Sequence, residues 1–130
     1  MLRFFNSRCF PKVANARNFA IDGYGRVKTG LATEKLVKNM KVGDEVLTPH
    51  GSAKITHVNK KYTFTGYYEL VELNKMLITP EHPIYIYDSW ELPKEIKKIE
   101  FVKCTELYSF ELDKYHVMTV NGNNIMASDK

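Results

Sequence analysis

The stretch Met76-Leu77-Ile78-Thr79-Pro80-Glu81-His82-Pro83-Ile84-Tyr85-Ile86-Tyr87 places a proline-containing turn between two apolar runs. The second run, Ile84–Tyr87, alternates in the way that is typical of a half-buried strand. Proline at the second position of the segment from Thr79 to His82 favours a tight turn, which brings the first and fourth residues within about 7 Å of each other. The Thr79 hydroxyl and the His82 imidazole are therefore predicted to converge. A hydroxyl beside a group that titrates near neutral pH is suited to acyl transfer.

Size and composition indicate one soluble domain. A chain of 130 residues can bury roughly two thirds of its unfolded surface. Aromatic residues, which suit strands, are frequent, with eight Tyr, seven Phe and one Trp. No apolar run approaches the roughly 20 residues of a membrane span, so we expect no membrane partner and take the cytoplasm as the default compartment. The two cysteines, Cys9 and Cys104, have the spacing of neither a disulfide framework nor a metal site, and Cys104 is expected to be a small buried hydrophobe.

The net charge of +4 belongs to the N-terminal flank. Residues 1–19 hold four of the 19 basic side chains and no acidic one, so the rest of the chain holds 15 basic and 15 acidic side chains. Because nucleic-acid-binding proteins usually carry a basic face on the fold itself, the neutral body argues against a nucleic-acid partner. The flank resembles an organellar transit peptide, although a stretch of neighbouring sequence is the favoured interpretation. We therefore divide the chain into a flank, residues 1–19, and a domain, residues 20–130.

Short strands and turn signals alternate from Ala20 onward, which predicts an all-β domain with ten or more strands. The segment Thr33–Met40 is the one candidate for a short helix, with Thr33 as its cap. The residues that this helix would direct inward are Leu36, Val37 and Met40. Asn121-Gly122 predicts a tight hairpin turn into a final apolar strand.

Four features in a fixed order resemble the Hint domain, the fold shared by inteins, hedgehog autoprocessing domains and intein-like domains. The four are Lys41–Val46, Thr79–Pro83, Leu107–Leu112 followed by His116, and Val120–Gly122 before the last strand. The stretch from His82 to Met118 is similar to the intein-like domains found beside von Willebrand factor A modules. The resemblance covers residues 20–129. It implies an all-β Hint fold, a flattened horseshoe of many short strands with at most one short helix, whose two chain ends meet at one site.

The resemblance also implies a nucleophile at residue 20, roughly two dozen residues before the turn at Gly43-Asp44. Hint domains begin with a residue, usually Cys, whose sulfur attacks the preceding carbonyl, here that of Phe19, and converts the amide to a thioester. This chain has Ala20 at that position, and Cys9 lies eleven residues too early. A methyl group cannot replace the sulfur, so the bond between residues 19 and 20 is expected to stay intact. A precursor trapped by substitution of residue 20 is favoured over a decayed copy.

The remaining site residues follow from the same resemblance. His82 would polarise the scissile amide nitrogen and protonate it as it leaves, and Thr79 would hydrogen-bond the same peptide unit. His116 matches a histidine that precedes the last strand pair and would serve a C-terminal step. No metal or cofactor is required by this chemistry, the substrate is the chain's own flanking polypeptide, and we expect a monomer that turns over once.

The C-terminal end departs from the intein pattern. Ser128 takes the position of the family's His, Asp129 that of its Asn, and Lys130 that of its downstream nucleophile. A carboxylate has no amide nitrogen with which to form a succinimide, and Lys130 offers no thiol or hydroxyl, so ordinary splicing is not expected. Cleavage at the N-terminal junction, with water or an amine as acyl acceptor, is expected instead, and a slower cleavage by carboxylate attack of Asp129 stays open.

Two other interpretations of the sequence stay open. The first is a degenerate, non-catalytic Hint domain that serves as an interaction module. The second is a small β-barrel that binds nucleic acid with residues 1–19 as a basic arm, which the neutral body disfavours.

Overall fold

The structure, a computed structural model, describes residues 19–128 of the chain. This part contains thirteen β-strands and two 3₁₀ turns, Val37–Asn39 and Pro93–Glu95. The strands are β1 Ile21–Asp22, β2 Arg26–Lys28, β3 Glu34–Leu36, β4 Glu45–Thr48, β5 Gly51–Tyr62, β6 Tyr67–Leu73, β7 Met76–Ile78, β8 Ile84–Ile86, β9 Ser89–Glu91, β10 Glu100–Lys103, β11 Glu106–Leu112, β12 Val117–Val120 and β13 Asn123–Met126. No helix between residues 19 and 128 is long and apolar enough to cross a membrane. Cys9, Asp129, Lys130 and the flank up to Asn18 lie outside the described residues.

The strands form two sheets in which neighbouring strands are antiparallel. The seven-stranded sheet has the order β10-β6-β7-β1-β11-β5-β4, and the six-stranded sheet has the order β3-β2-β12-β13-β8-β9. The predicted all-β domain with ten or more strands is confirmed.

Alternating burial along the strands builds the core and fixes the register. In β11, the side chains of Tyr108, Phe110 and Leu112 are buried on one face, and they belong with Ile55 of β5 and Ile78 of β7 to one apolar core. Burying an aliphatic or aromatic side chain of this size stabilises the fold by about 1.5–3 kcal/mol. Because a slip of one residue would expose this whole set, the pairing of β11 with its neighbours is strongly specified.

The short helix predicted for Thr33–Met40 is wrong. Its first part forms β3, which pairs with β2, and only the 3₁₀ turn follows. The N–H of Val37 donates to the carbonyl of Gly25 at 2.9 Å, so the backbone is bound to the neighbouring chain segment and not to a preceding helical turn. Val37 and Met40 are nevertheless buried, as predicted, and Leu36 is half-buried.

Both ends of the described chain attach to the same edge of β11. Ile21 of β1 pairs with Tyr108 of β11, and the N–H of Ser128 donates to the carbonyl of Phe110 in β11 at 2.9 Å. Ser128 also forms a parallel bridge with Glu111. The opposite edge of β11 is occupied by β5, so the two ends lie on one side, next to each other. The expected meeting of the two chain ends is observed.

Candidate active site

The pairing of β1 with β7 places residue 20 against Thr79. Ile21 pairs with Ile78, and the ladder continues by one step because the N–H of Thr79 donates to the Ala20 carbonyl at 3.0 Å. The Ala20 N–H donates to the Thr79 hydroxyl oxygen at 3.1 Å, and that hydroxyl lies 3.3 Å from the Ala20 carbonyl oxygen. Thr79 thus contacts both backbone polar groups of residue 20, and both residues are buried.

The loop after β7 turns His82 back towards the same place. The His82 N–H donates to the Thr79 carbonyl at 3.2 Å, which closes the four-residue turn predicted from the sequence. The ring of Pro80 holds the second position of that turn near the φ that a tight turn needs. The side chain of His82 is directed into the protein, and the residue is only 3% exposed.

The hydrogen bonding of the His82 ring defines its tautomer. Nε2 lies 2.6 Å from the carbonyl oxygen of Met126, and since a carbonyl only accepts, Nε2 carries the hydrogen and donates it. Nδ1 then holds a lone pair, and within residues 19–128 it is buried without a hydrogen-bond partner. The Ala20 backbone lies near enough to influence the ring, although it makes no hydrogen bond of ordinary geometry with Nδ1.

Burial determines the protonation of His82. Desolvation lowers the pKa of the imidazole to about 4, and interactions with the Met126 and Ala20 backbones offset only part of this shift. The ring is therefore neutral at pH 7. Its unpartnered Nδ1 can accept a proton, and the imidazolium formed in this way is a strong proton donor.

Phe19, which the sequence assigned to the flank, is buried in the body of the domain. Its ring stacks on the His82 imidazole with centroids 4.8 Å apart and planes inclined by 14°. Phe19 is 3% exposed. The residue before the proposed scissile bond therefore covers one face of the proposed proton carrier.

Asp22 anchors β1 beside this site. One carboxylate oxygen accepts the N–H of Leu77 in β7 at 3.3 Å, and the other accepts the N–H of Tyr24 at 3.2 Å. Burial raises the pKa of the Asp22 carboxyl, and the two N–H donors offset part of that increase. The carboxylate thus ties the strand that carries residue 20 to the strand that leads to Thr79.

Cys104 is a buried free thiol, as predicted. It packs in a small apolar cluster with Ala20, Leu70 and Leu107, and its Sγ donates weakly to the Glu106 carbonyl at 3.4 Å. Burial raises the pKa of the thiol, and the nearby Asp22 charge raises it further. A thiol that resists ionisation is a poor nucleophile.

The structure does not bring every predicted residue to this site. His116 is exposed, has a φ of 52°, and accepts the Ala127 N–H at its backbone carbonyl with a distance of 2.8 Å. Asp129 lies outside the described residues. The sequence analysis missed the Met126 carbonyl and the stacking of Phe19, because a backbone acceptor has no residue-type signal and Phe19 precedes the predicted domain.

Comparison with known proteins identifies the fold. A family model described as Hint-domain, named Vint, matches residues 19–128. The chain belongs to this Hint-domain family. No curated protein sequence matches significantly.

Solved structures of Hint domains resemble this chain over most of its length. The gp41-1 intein is 23% identical with a TM-score of 0.62, and the likeness covers 83% of this chain and 98% of the intein. The bacterial intein-like domain from Clostridium thermocellum is 17% identical with a TM-score of 0.66, covering 85% of this chain and 98% of that domain. A DnaB intein from Synechocystis sp. PCC 6803 is 17% identical with a TM-score of 0.59, covering 85% and 99%. At these identities the likeness shows the fold, and the all-β Hint fold is confirmed.

Among the described residues, no three His, Cys, Asp or Glu side chains are grouped so that they could hold a metal ion.

Proposed function

We propose that this Hint domain is an autoprocessing unit whose chemistry is cleavage of its own backbone between Phe19 and residue 20. The observation that carries the proposal is the hydrogen bond from the Ala20 N–H to the Thr79 hydroxyl, 3.1 Å long and buried beside a neutral histidine. This N–H belongs to the peptide bond that would break. A leaving nitrogen held by a hydroxyl, close to a group that can carry a proton, is suited to acyl transfer.

The proposed step requires a thiol at residue 20. The Sγ–H proton passes to Nδ1 of His82 as the sulfur bonds to the Phe19 carbonyl carbon. The resulting tetrahedral intermediate collapses with loss of the bond from that carbon to the residue 20 nitrogen. His82 returns the proton to this nitrogen, which becomes a free amine, and the acyl group remains on sulfur as a thioester.

Two features of His82 support this role. The hydrogen bond from Nε2 to the Met126 carbonyl keeps the lone pair on Nδ1, and the Ala20 backbone lies close enough to the ring to offset part of the decrease in its pKa. The low pKa of about 4 makes the protonated ring a ready donor to the departing nitrogen. Thr79 holds the same nitrogen through its hydroxyl and so restricts rotation of the peptide unit.

Residue 20 decides whether the reaction begins. The methyl group of Ala20 has no lone pair with which to attack, so we infer that the chain with Ala20 stays a precursor. Water or an amine would receive the acyl group once a thiol is present. Asp129 would not cyclise in the manner of Asn, since a carboxylate lacks the amide nitrogen, and ordinary splicing is not part of the proposal.

We also propose a closer relationship of this chain to one group within the Hint-domain family. The stretch from His82 through Trp90 to His116 and Met118 supports kinship with the intein-like domains that accompany von Willebrand factor A modules.

The test is the Ala20→Cys variant incubated with hydroxylamine and followed by intact mass. We expect two fragments that divide between residues 19 and 20, the first carrying a C-terminal hydroxamate. Ala20→Cys combined with His82→Ala is the matched control and should stay whole. An Ala20→Cys chain that remains intact after days of incubation would overturn the proposal.

A further inference from the structure

Two hairpin turns from different sheets lie against each other, and three asparagines lie in or next to them. The turn between β6 and β7 has Asn74 and Lys75 at φ 51° and 67°, and the turn between β12 and β13 has Asn121 and Gly122 at φ 51° and 80°. Positive φ at both central residues is the type I′ geometry, which confirms the tight turn predicted at Asn121-Gly122. The third asparagine, Asn123, is the first residue of β13.

Three hydrogen bonds between nitrogen and oxygen atoms join the two turns, and a weaker one runs from Asn123 Nδ2 to the Met76 sulfur at 3.9 Å. Asn121 Nδ2 donates to the Asn74 carbonyl at 2.8 Å, and Asn74 Nδ2 donates to Asn123 Oδ1 at 2.8 Å. Asn123 Nδ2 donates in turn to the Leu73 carbonyl at 3.2 Å. Asn123 is only 8% exposed, so its side chain needs these partners. We call Asn74, Asn121 and Asn123 the asparagine clasp.

Both strands that leave the clasp lead to the candidate site. From Asn74, β7 runs directly to Thr79, whose hydroxyl accepts the Ala20 N–H. From Asn123, β13 runs to Met126, whose carbonyl accepts the Nε2–H of His82. At about 3.3 Å per residue, the two connections are only about 10–17 Å long. The clasp therefore fixes the starting point of β7 in one sheet relative to the starting point of β13 in the other.

We propose that Asn123, through the clasp, is a positioning residue that fixes the His82 ring relative to the Thr79 hydroxyl. The inference rests on the proposed function, because the position of the His82 ring relative to the Thr79 hydroxyl matters for catalysis only if that function is correct. Asn123 touches none of the reacting atoms. It acts by keeping β7 and β13 at one spacing, and a displacement of about 1 Å at a catalytic group can slow a reaction by on the order of a hundredfold.

Asn124 provides a matched control in the next position of the same strand. Its Oδ1 accepts the Thr119 hydroxyl at 2.7 Å, so it ties β13 to β12 within one sheet. In the Ala20→Cys chain, we expect Asn123→Ala to slow hydroxylamine cleavage by on the order of tenfold or more. Asn124→Ala should stay within about twofold of the parent rate.

Rates are compared for the folded fraction, measured by circular dichroism, so that a loss of stability alone is not read as a loss of positioning. Asn123→Asp, which keeps the size but not the donor to the Leu73 carbonyl, should be as slow as Asn123→Ala. The proposal is overturned if the folded fractions of both Asn123 variants cleave at the Asn124→Ala rate.

A second measurement separates this inference from the proposed function. In the chain that retains Ala20, an NMR titration of His82 should show its pKa moving up from about 4 in Asn123→Ala, because a displaced ring meets water. Asn124→Ala should leave the titration unchanged. If Ala20→Cys itself fails to cleave, the proposed function falls, and this titration then decides whether the clasp positions His82. An unmoved titration in Asn123→Ala would refute that placement.

Discussion

The phenyl ring of Phe19 stacks on the imidazole of His82, with centroids 4.8 Å apart and planes inclined by 14°. Phe19 donates the acyl group in the proposed cleavage, and His82 carries the proton. The side chain of the residue before the bond thus helps to form the environment in which the bond would break. Stacking also contributes to the burial that keeps the imidazole neutral.

Replacement of Phe19 should affect the reaction. In the Ala20→Cys chain, we expect Phe19→Ala to slow hydroxylamine cleavage by about two- to tenfold, because a stacked pair worth about 0.5–1.5 kcal/mol is lost and water reaches the ring. Phe19→Tyr keeps the stack and should keep the rate. Fragment mass against time measures both, and equal rates for the alanine and tyrosine variants would contradict the prediction.

The buried neutral state of His82 predicts a pH-dependent stability. The pKa is about 4 in the folded chain and about 6.5 in the unfolded chain, so between these values the unfolded state binds more protons. The free energy of unfolding should therefore fall as the pH falls from about 6.5 to about 4, by on the order of 3 kcal/mol in total.

Urea unfolding at pH 7, 5.5 and 4.5 measures this loss. Carboxylates also titrate near the lower end of the range, so the comparison is with His82→Gln, which lacks the imidazole. We expect a flatter pH dependence in the variant. Parallel curves for the two proteins would show that His82 does not titrate as described.

Removal of the Thr79 hydroxyl should destabilise the chain even with Ala20 in place. Thr79→Val keeps the shape but leaves the buried Ala20 N–H without this acceptor, and we expect a loss of about 1–3 kcal/mol in urea unfolding at pH 7. Thr79→Ser keeps the hydroxyl and should lose less than Thr79→Val. The opposite order would mean that the methyl group, and not the hydrogen bond, is the important part of Thr79.

The Cys104 thiol should be protected from alkylation. In a Cys9→Ser variant, iodoacetamide at pH 8 should label Cys104 on the order of a hundredfold more slowly in buffer than in 8 M urea, because burial limits access and raises the thiol pKa. Mass spectrometry at timed quenches gives the two rates. Similar rates in buffer and urea would show that this part of the sheet opens readily.

Local sequence rules predicted much of this architecture but not the whole site. The turn from Thr79 to His82 and the hairpin at Asn121-Gly122 could be predicted because proline, asparagine and glycine have strong conformational preferences. The helix predicted for Thr33–Met40 failed because pairing with β2 outweighs a weak helical pattern of apolar residues. The contacts of His82 with Met126 and of Asn74 with Asn123 join residues far apart in the chain, and no local rule contains them.

The attachment of Ile21 and Ser128 to neighbouring positions on one edge of β11 has a consequence for any polypeptide joined to the two sides of this domain. β1 runs antiparallel to β11 and Ser128 runs parallel to it, so a chain traced outward from either side heads in the same direction. Once the domain has folded, Ile21 and Ser128 lie about 10 Å apart along β11, because their partners Tyr108 and Glu111 are three residues apart in that strand. The entropy lost when the two ends of residues 19–128 are brought together is offset by the domain's own folding. A host protein could therefore accommodate the insertion at a loop without separating its own strands or helices.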